Sequence, residues 1–331
     1  MLGFAVVGLG MGRSRARLIQ ETEGAELTVV VDRNEELAAE VGAELGVNWA
    51  PNLDDVLARS DVDVVMIMTP SGLHADLGCL AAQAGKNVIT TKPMDVSTEQ
   101  CDRLIAMSES SGVKLAVDYQ SRYVDTNFRV ANALSEGALG KPLLGEVRFK
   151  WFRAQQYFEH GNGWRGTWSM DGGGSLANQG SHLLDLLLWF MGEPQRLFAD
   201  TEVVAHDIET EDIGMAIITF RSGAKGVIVG TTTFPQENVY FSAEVHGTEG
   251  GVLIDAALDG NCRIFGEGLE QKMTSIENPF SNVIEDMVYC LENDATPRVD
   301  GIEGRRTVAL LEDIYRSSRT GASVDCTEAP V

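Results

Sequence analysis

Positive charge is scarce in this chain: 26 Lys and Arg stand against 49 Asp and Glu, a formal net charge of −23. Nucleic acid and anionic membrane would both be repelled, so neither is expected as a partner, and the acidic excess reads as solvated surface. Cysteine is sparse as well. Cys79, Cys101, Cys262, Cys290 and Cys326 are odd in number, scattered and without metal spacing. They fit the reduced, structural thiols of a cytoplasmic protein rather than a disulfide framework. Long apolar runs are also missing. The most apolar stretch, 183–191, is interrupted by Asp185 and is far too short to span a bilayer. Met1 leads straight into an apolar segment with no basic n-region or cleavage site. His160, His206 and His246 lack ligand spacing, so no metal is expected.

What is present has the make-up of an ordinary globular protein, and 331 residues exceed what one hydrophobic core usually serves. Two domains are therefore expected, divided as 1–122 and 123–331. In the first, short β-branched runs at 4–7, 27–31, 62–68, 87–90 and 114–117 are nearly continuous in apolar residues. That is the pattern of parallel strands covered on both faces. Helix signals lie between them. Asn34 can cap a helix starting Glu35-Glu36, Ser97 with Gln100 forms a capping-box pattern, and Gly85 and Gly112 sit where helices end. The alternation predicts a doubly wound α/β (Rossmann) sheet.

The character changes near residue 123. After a helix at 124–136, alternating strands are expected at 143–153, 196–205, 213–220, 226–234 and 240–246. Turns such as Ser222-Gly223 imply antiparallel hairpins. Helices at 281–293 and 301–319 close the chain, the second started by Asp300 with Glu303 and ended by Gly321. The second domain is thus α+β, with one large, open-faced, mostly antiparallel sheet. Its uncovered face predicts a homodimer or homotetramer.

Gly8-Leu9-Gly10-Met11-Gly12 follows the first strand and opens a helix, which suits backbone N–H groups to a dinucleotide pyrophosphate. The usual third glycine is replaced by Arg13. Asp32 ends the second strand, where a carboxylate reaches the adenosine ribose, so NAD is favoured with NADP open. Arg33 keeps it open, since a guanidinium can stack on adenine, pair with a 2′-phosphate, or simply be solvated. Thr69-Pro70 and Thr91-Lys92-Pro93 follow the next strands, at the sheet end where ligands bind. A lysine beside an oxidised nicotinamide suits proton transfer. Asn178 and His182 are four residues apart and Asp185 three further on, so a helix would project all three from one face. From the residues alone, His182 is either a hydrogen-bonded core histidine or a proton carrier.

Taken together, the Gly-rich loop, Thr-Pro-Ser-Gly-Leu-His at 69–74, Ala-Gly-Lys-Asn-Val at 84–88 and Thr-Lys-Pro at 91–93 resemble the glucose–fructose oxidoreductase/inositol dehydrogenase/rhizopine catabolism (Gfo/Idh/MocA) family. Gly172-Gly173-Gly174 leading to Asn178 and His182, His246-Gly247-Thr248-Glu249-Gly250, and 298–321 extend the likeness over essentially the whole chain. The resemblance implies hydride transfer between a nicotinamide and a secondary alcohol or ketone of a sugar, cyclitol or sugar derivative. It implies Lys92 hydrogen-bonding the reacting hydroxyl, with a cis peptide often preceding Pro93, and His182 as general acid/base. Asn178 stands where the family often has Asp, so it can only orient substrate or His182. Thr91 replaces a frequent Glu. From these motifs and the resemblance together, Gly8 to Gly12, Asp32, Arg33, Thr69, Pro70, His74, Thr91, Lys92, Gln120, Trp164 and Arg165 are expected to face the cofactor. Lys92, Arg122, Asn178 and His182 face the substrate. Two other readings share the scaffold: a glycoside hydrolase using tightly held NAD, and a dinucleotide-sensing regulator, which the presence of both Lys92 and His182 argues against.

Overall fold

The apolar runs of the N-terminal region form six strands: β1 (Leu2–Val7), β2 (Ala25–Val31), β3 (Asn48–Ala50), β4 (Val64–Ile67), β5 (Asn87–Thr91) and β6 (Leu115–Asp118). They lie in the order β3-β2-β1-β4-β5-β6, every pairing parallel. Order reversal between β1 and β4 opens the crevice at which such sheets bind dinucleotides. β4 is buried at every residue, and each wholly buried aliphatic side chain there stabilises by about 1.5–3 kcal/mol. Between the strands lie α1 (Leu9–Glu21), α2 (Glu35–Leu45), α3 (Asp54–Leu57), α4 (His74–Gln83) and α5 (Thr98–Ser111). The expected N-caps are in place, although the box at Ser97 lacks its reciprocal half, the buried Gln100 Oε1 having no hydrogen-bond partner among the described residues. Asn34 accepts from Leu37 N, Ser97 accepts from Gln100 N, and Gly112 ends α5 in the left-handed region.

The computed structural model describes residues 1–235, 240–255 and 261–327. It divides into one unit of Met1–Asp118 with Asn282–Arg305 and another of Tyr119–Ser281 with Arg306–Val331. The second unit is built on β7 (Pro142–Lys150), β8 (Pro194–Glu202), β9 (Ile213–Phe220), β10 (Lys225–Thr231), β11 (Tyr240–Gly247), β12 (Gly251–Asp255), β13 (Asn261–Phe265) and β14 (Val324–Asp325). Their order is β13-β12-β11-β7-β10-β9-β8-β14, antiparallel except where β10 runs beside β7. Ser222-Gly223 turns β9 into β10, as the sequence indicates. One face of this sheet packs against α8 (Ser181–Met191), reached after α6 (Asp125–Ser135) and α7 (Gln155–Glu159), with α9 (Leu269–Thr274) nearer the β13 edge. Leu183, Leu184, Leu186, Leu187 and Leu188 of α8 are all buried in that core.

The segment after residue 281 departs from the expected division. It carries α10 (Val283–Asn293) and the start of α11 (Gly301–Thr320), and up to Arg305 it groups with the parallel-sheet unit. The segment meets the sheet twice: α10 packs against β6 and β2, and an isolated antiparallel bridge joins Ala116 to Asp300, with Val117 N donating to Val299 O at 2.9 Å. The edge of β6 therefore takes up a chain segment about 180 residues distant, as the Lys114–Asp294 ion pair also records.

Candidate active site

The first turn of α1 has three glycines with three different roles. Gly8 sits at φ 90°, and a Cβ there would lie 2.9 Å from the Met68 carbonyl. Gly12 packs against Val6 and Met68, drawing helix onto sheet. Gly10 faces open space, with nothing within 4 Å of where a Cβ would be. Leu9 is buried, and its N–H is donated to Asp32 Oδ2 at 2.8 Å. The exposed Gly10 and Met11 thus form the accessible part of the turn. This open, positively polarised helix start fits a dinucleotide pyrophosphate. Asp32 Oδ1 accepts from Asn34 N at 2.9 Å, so the carboxylate is fixed at the end of β2 by two backbone donors. Arg33 beside it is exposed.

His74 does not line a ligand surface. It is wholly buried, its Nδ1 3.0 Å from Pro93 O and its Nε2 2.9 Å from Thr69 O. The ring clamps the turn after β4 to the turn after β5; burial holds its pKa below the usual imidazole range, against the two carbonyls and Asp95, which favour the charged form. Burial also pushes the adjoining Asp95 carboxyl up, although it accepts from Ala75 N and Val96 N. The clamp supports Lys92, which is half-exposed while Pro93, Met94 and Asp95 behind it are buried. The Lys92–Pro93 peptide is cis.

In the second unit the chain approaching α8 is not α-helical. Ser175–Gln179 forms a π-helical turn ended by Gly180, so Asn178 and His182 do not share one continuous helical face. Both are half-exposed. Asn178 Nδ2 donates to Asp171 Oδ1 at 2.8 Å, which fixes the amide so that its Oδ1 accepts from Tyr157 OH at 3.3 Å and Gln179 Nε2 at 3.1 Å. Asp171 is itself held by Gly166 N at 2.9 Å. The ring of His182 meets Tyr119 edge-on at 5.9 Å. The turn is anchored by Glu211, whose two carboxyl oxygens accept from Gly174 N at 2.9 Å and Leu176 N at 2.7 Å.

Two further expectations change. Asp185 and Arg122 are both buried and joined by two hydrogen bonds of 2.9 and 2.7 Å. Arg122 also lies 5.0 Å from the Trp189 ring. Arg122 is thus a core ion pair rather than a substrate contact, because a buried guanidinium cannot leave its carboxylate cheaply. Gln120 is exposed, and Arg165 stacks between Trp164 and Tyr157 at 4.7 Å from each ring. Sequence reasoning missed Tyr157, Asp171, Gln179 and Glu211. Only Asp171, directly before three glycines, carried a readable signal; the others act across folds of the chain. Among the described residues no three or more His, Cys, Asp or Glu gather as a metal-ligand set, and no helix is long and apolar enough to cross a membrane.

Comparison with known proteins gives these features a family. Residues 2–119 match the model of the oxidoreductase family's NAD-binding Rossmann fold, and 128–253 match the GFO/IDH/MocA C-terminal domain. The crystal structure of the WlbA dehydrogenase from Bordetella pertussis, in complex with NADH and UDP-GlcNAcA, superposes with a TM-score of 0.90 and 31% identity. The match covers 99% of this chain and 98% of that one. D-apiose dehydrogenase from Paraburkholderia graminis is 26% identical over 97% of this chain and 88% of its own. The scyllo-inositol 2-dehydrogenase (NAD(+)) from Bacillus subtilis is 25% identical over 97% and 95%. The Rossmann sheet, the Lys92 turn, the turn carrying Asn178 and these likenesses together make the chain a member of the Gfo/Idh/MocA family of NAD(P)-dependent sugar and cyclitol oxidoreductases.

Proposed function

We propose that the protein oxidises a secondary hydroxyl of a polyhydroxylated, sugar-like substrate, with Lys92 hydrogen-bonding the reacting hydroxyl, His182 receiving its proton and Asn178 orienting the sugar. The observation that carries this reading is the half-exposed Lys92 at the carboxyl end of β5, with buried residues behind it and the His74 clamp fixing its backbone. The bound dinucleotide supplies the hydride acceptor. Asn178 carries no titratable proton and is held by Asp171, so its part is positioning. The parallel-sheet unit serves the cofactor, through Gly8 to Gly12, Asp32, Arg33, Thr69, Pro70 and Thr91, and the unit built on the large antiparallel sheet serves the substrate and oligomerisation. Asp32, anchored at the end of β2, repels a 2′-phosphate and favours NAD over NADP. Phe198, Met215 and Ile217 are exposed on the open sheet face and supply the contact for a homodimer or homotetramer. Five free cysteines fit a cytoplasmic location.

The test is a panel of sugars, inositols, uronates and nucleotide sugars, followed at the nicotinamide absorbance with NAD+ and NADP+. Lys92→Ala should lower turnover by about 10³-fold, with NADH affinity measured by fluorescence unchanged. Retained turnover would remove Lys92 from the chemistry.

A further inference from the structure

In a chain so rich in carboxylates, two half-buried guanidiniums of the second unit have no carboxylate partner among the described residues. Arg165 lies 4.7 Å from the ring centre of Tyr157 and the same distance from Trp164. Arg153 lies 5.0 Å from the Tyr157 ring and 4.8 Å from Trp151. Among the described residues the one hydrogen bond of the Arg153 side chain is donated from an Nη to the carbonyl of its neighbour Phe152, and its buried Nε has no acceptor. Two cations on one ring are held within about 10 Å, one Debye length at 0.1 M salt, so they repel until an anion comes between them. Aromatic stacking holds a guanidinium in place and leaves its in-plane N–H groups open. Tyr157 ties the pair to the candidate substrate residue, since its hydroxyl donates to Asn178 Oδ1 and accepts from Gln179 Nε2 at 3.0 Å.

We propose that Arg153 and Arg165, stacked on Tyr157, form an anion subsite beside Asn178 that binds a carboxylate or phosphate carried by the sugar substrate. The inference rests on reading Asn178 as a substrate residue. Planar guanidiniums recognise either anion by paired N–H donors, whereas a neutral sugar would leave two like charges uncompensated. It also moves Arg165 from the cofactor, where the family resemblance put it, to the substrate.

The experiment uses the NADH-loaded protein and three probes: D-glucuronate for a carboxylate, UDP-glucose for a diphosphate, and D-glucose as the neutral control. Binding is read by calorimetry and by tryptophan fluorescence, which Trp151 and Trp164 report locally. At least one anionic probe should bind tenfold or more tightly than glucose, and which one does so identifies the anion. Arg153→Gln and Arg165→Gln should each remove most of that preference and leave NADH affinity within twofold. Arg165→Lys should restore part of it if charge matters, and thermal melts verify that each variant is folded. Equal affinity for glucose and both anions would overturn the subsite, as would weakened NADH binding in the variants, which would return Arg165 to the cofactor. Arginine-dependent anion binding, with no sugar oxidised when NAD+ or NADP+ replaces NADH, would uphold the subsite and defeat the dehydrogenase reading. Efficient oxidation of neutral sugars with no anion preference would do the reverse.

Discussion

Glu211 shows how much one buried carboxyl can impose on the site. It is 3% exposed, and burial pushes its pKa from 4.5 up to about 7, against the Gly174 and Leu176 N–H groups and the nearby Tyr315 hydroxyl that favour the charge. A native pKa above the unfolded one means that the folded protein holds the extra proton between the two values. The associated stability is complete below about pH 4.5 and is lost as pH rises through about 7, an effect of up to about 3 kcal/mol. Glu211→Gln cannot ionise, so denaturant titrations between pH 5 and 8 should lose this slope. The amide offers one oxygen to two N–H donors, so its absolute stability should fall by about 1–2 kcal/mol. A slope identical to the parent's would show that the carboxyl titrates far lower. Because Glu211 fixes the turn bearing Asn178, the same titration should appear in substrate affinity.

At the scale of elements, the start of α1 separates folding from binding. Gly10 has open space around it, so Gly10→Ala should leave thermal stability unchanged or raised, alanine being the better helix former by about 1 kcal/mol. Its methyl group would nevertheless fill the approach of the pyrophosphate, and NADH affinity should drop about tenfold, a cost of about 1.4 kcal/mol. Unaltered NADH binding would place the dinucleotide elsewhere. Elements with a strong local pattern were legible in the sequence: β9 starts and ends where alternation says, α5 carries its caps, and α11 has Asp300 accepting from Glu303 N at its start and Gly321 at positive φ at its end. β3 was not, because Asn48 and Trp49 are exposed and supply no apolar run. β14, two residues long, and the π turn at 175–179 have no period to read. Lys92, Asn178 and His182 were legible as residue types at family spacings. The burial of His74 and Arg122 was not, because it depends on Pro93 and Asp185, distant in sequence and near in the fold.

For the whole molecule, charge and the open sheet face act against each other. Phe198, Ile217 and Val227 form one row across β8, β9 and β10, with Met215 on the same face two residues along β9. Phe198, Met215 and Ile217 are 46%, 47% and 63% exposed, an apolar surface that association would cover. Farther across the same face Arg148 pairs with Glu146 and Glu244, a polar margin to that row. Each copy, however, brings a net charge of −23, so docking two copies meets long-range repulsion. Salt shortens the range of that repulsion from about 30 Å at 0.01 M to about 10 Å at 0.1 M and leaves the apolar contact intact. Association should therefore strengthen with added salt, opposite to an interface held by ion pairs. Sedimentation at 10 mM and 150 mM NaCl should show the oligomer favoured at the higher concentration. Ile217→Glu, which places another charge at the most exposed point of the row, should leave a monomer at both. A chain monomeric at every salt concentration, or an oligomer indifferent to Ile217→Glu, would show that the sheet face is not what joins the copies.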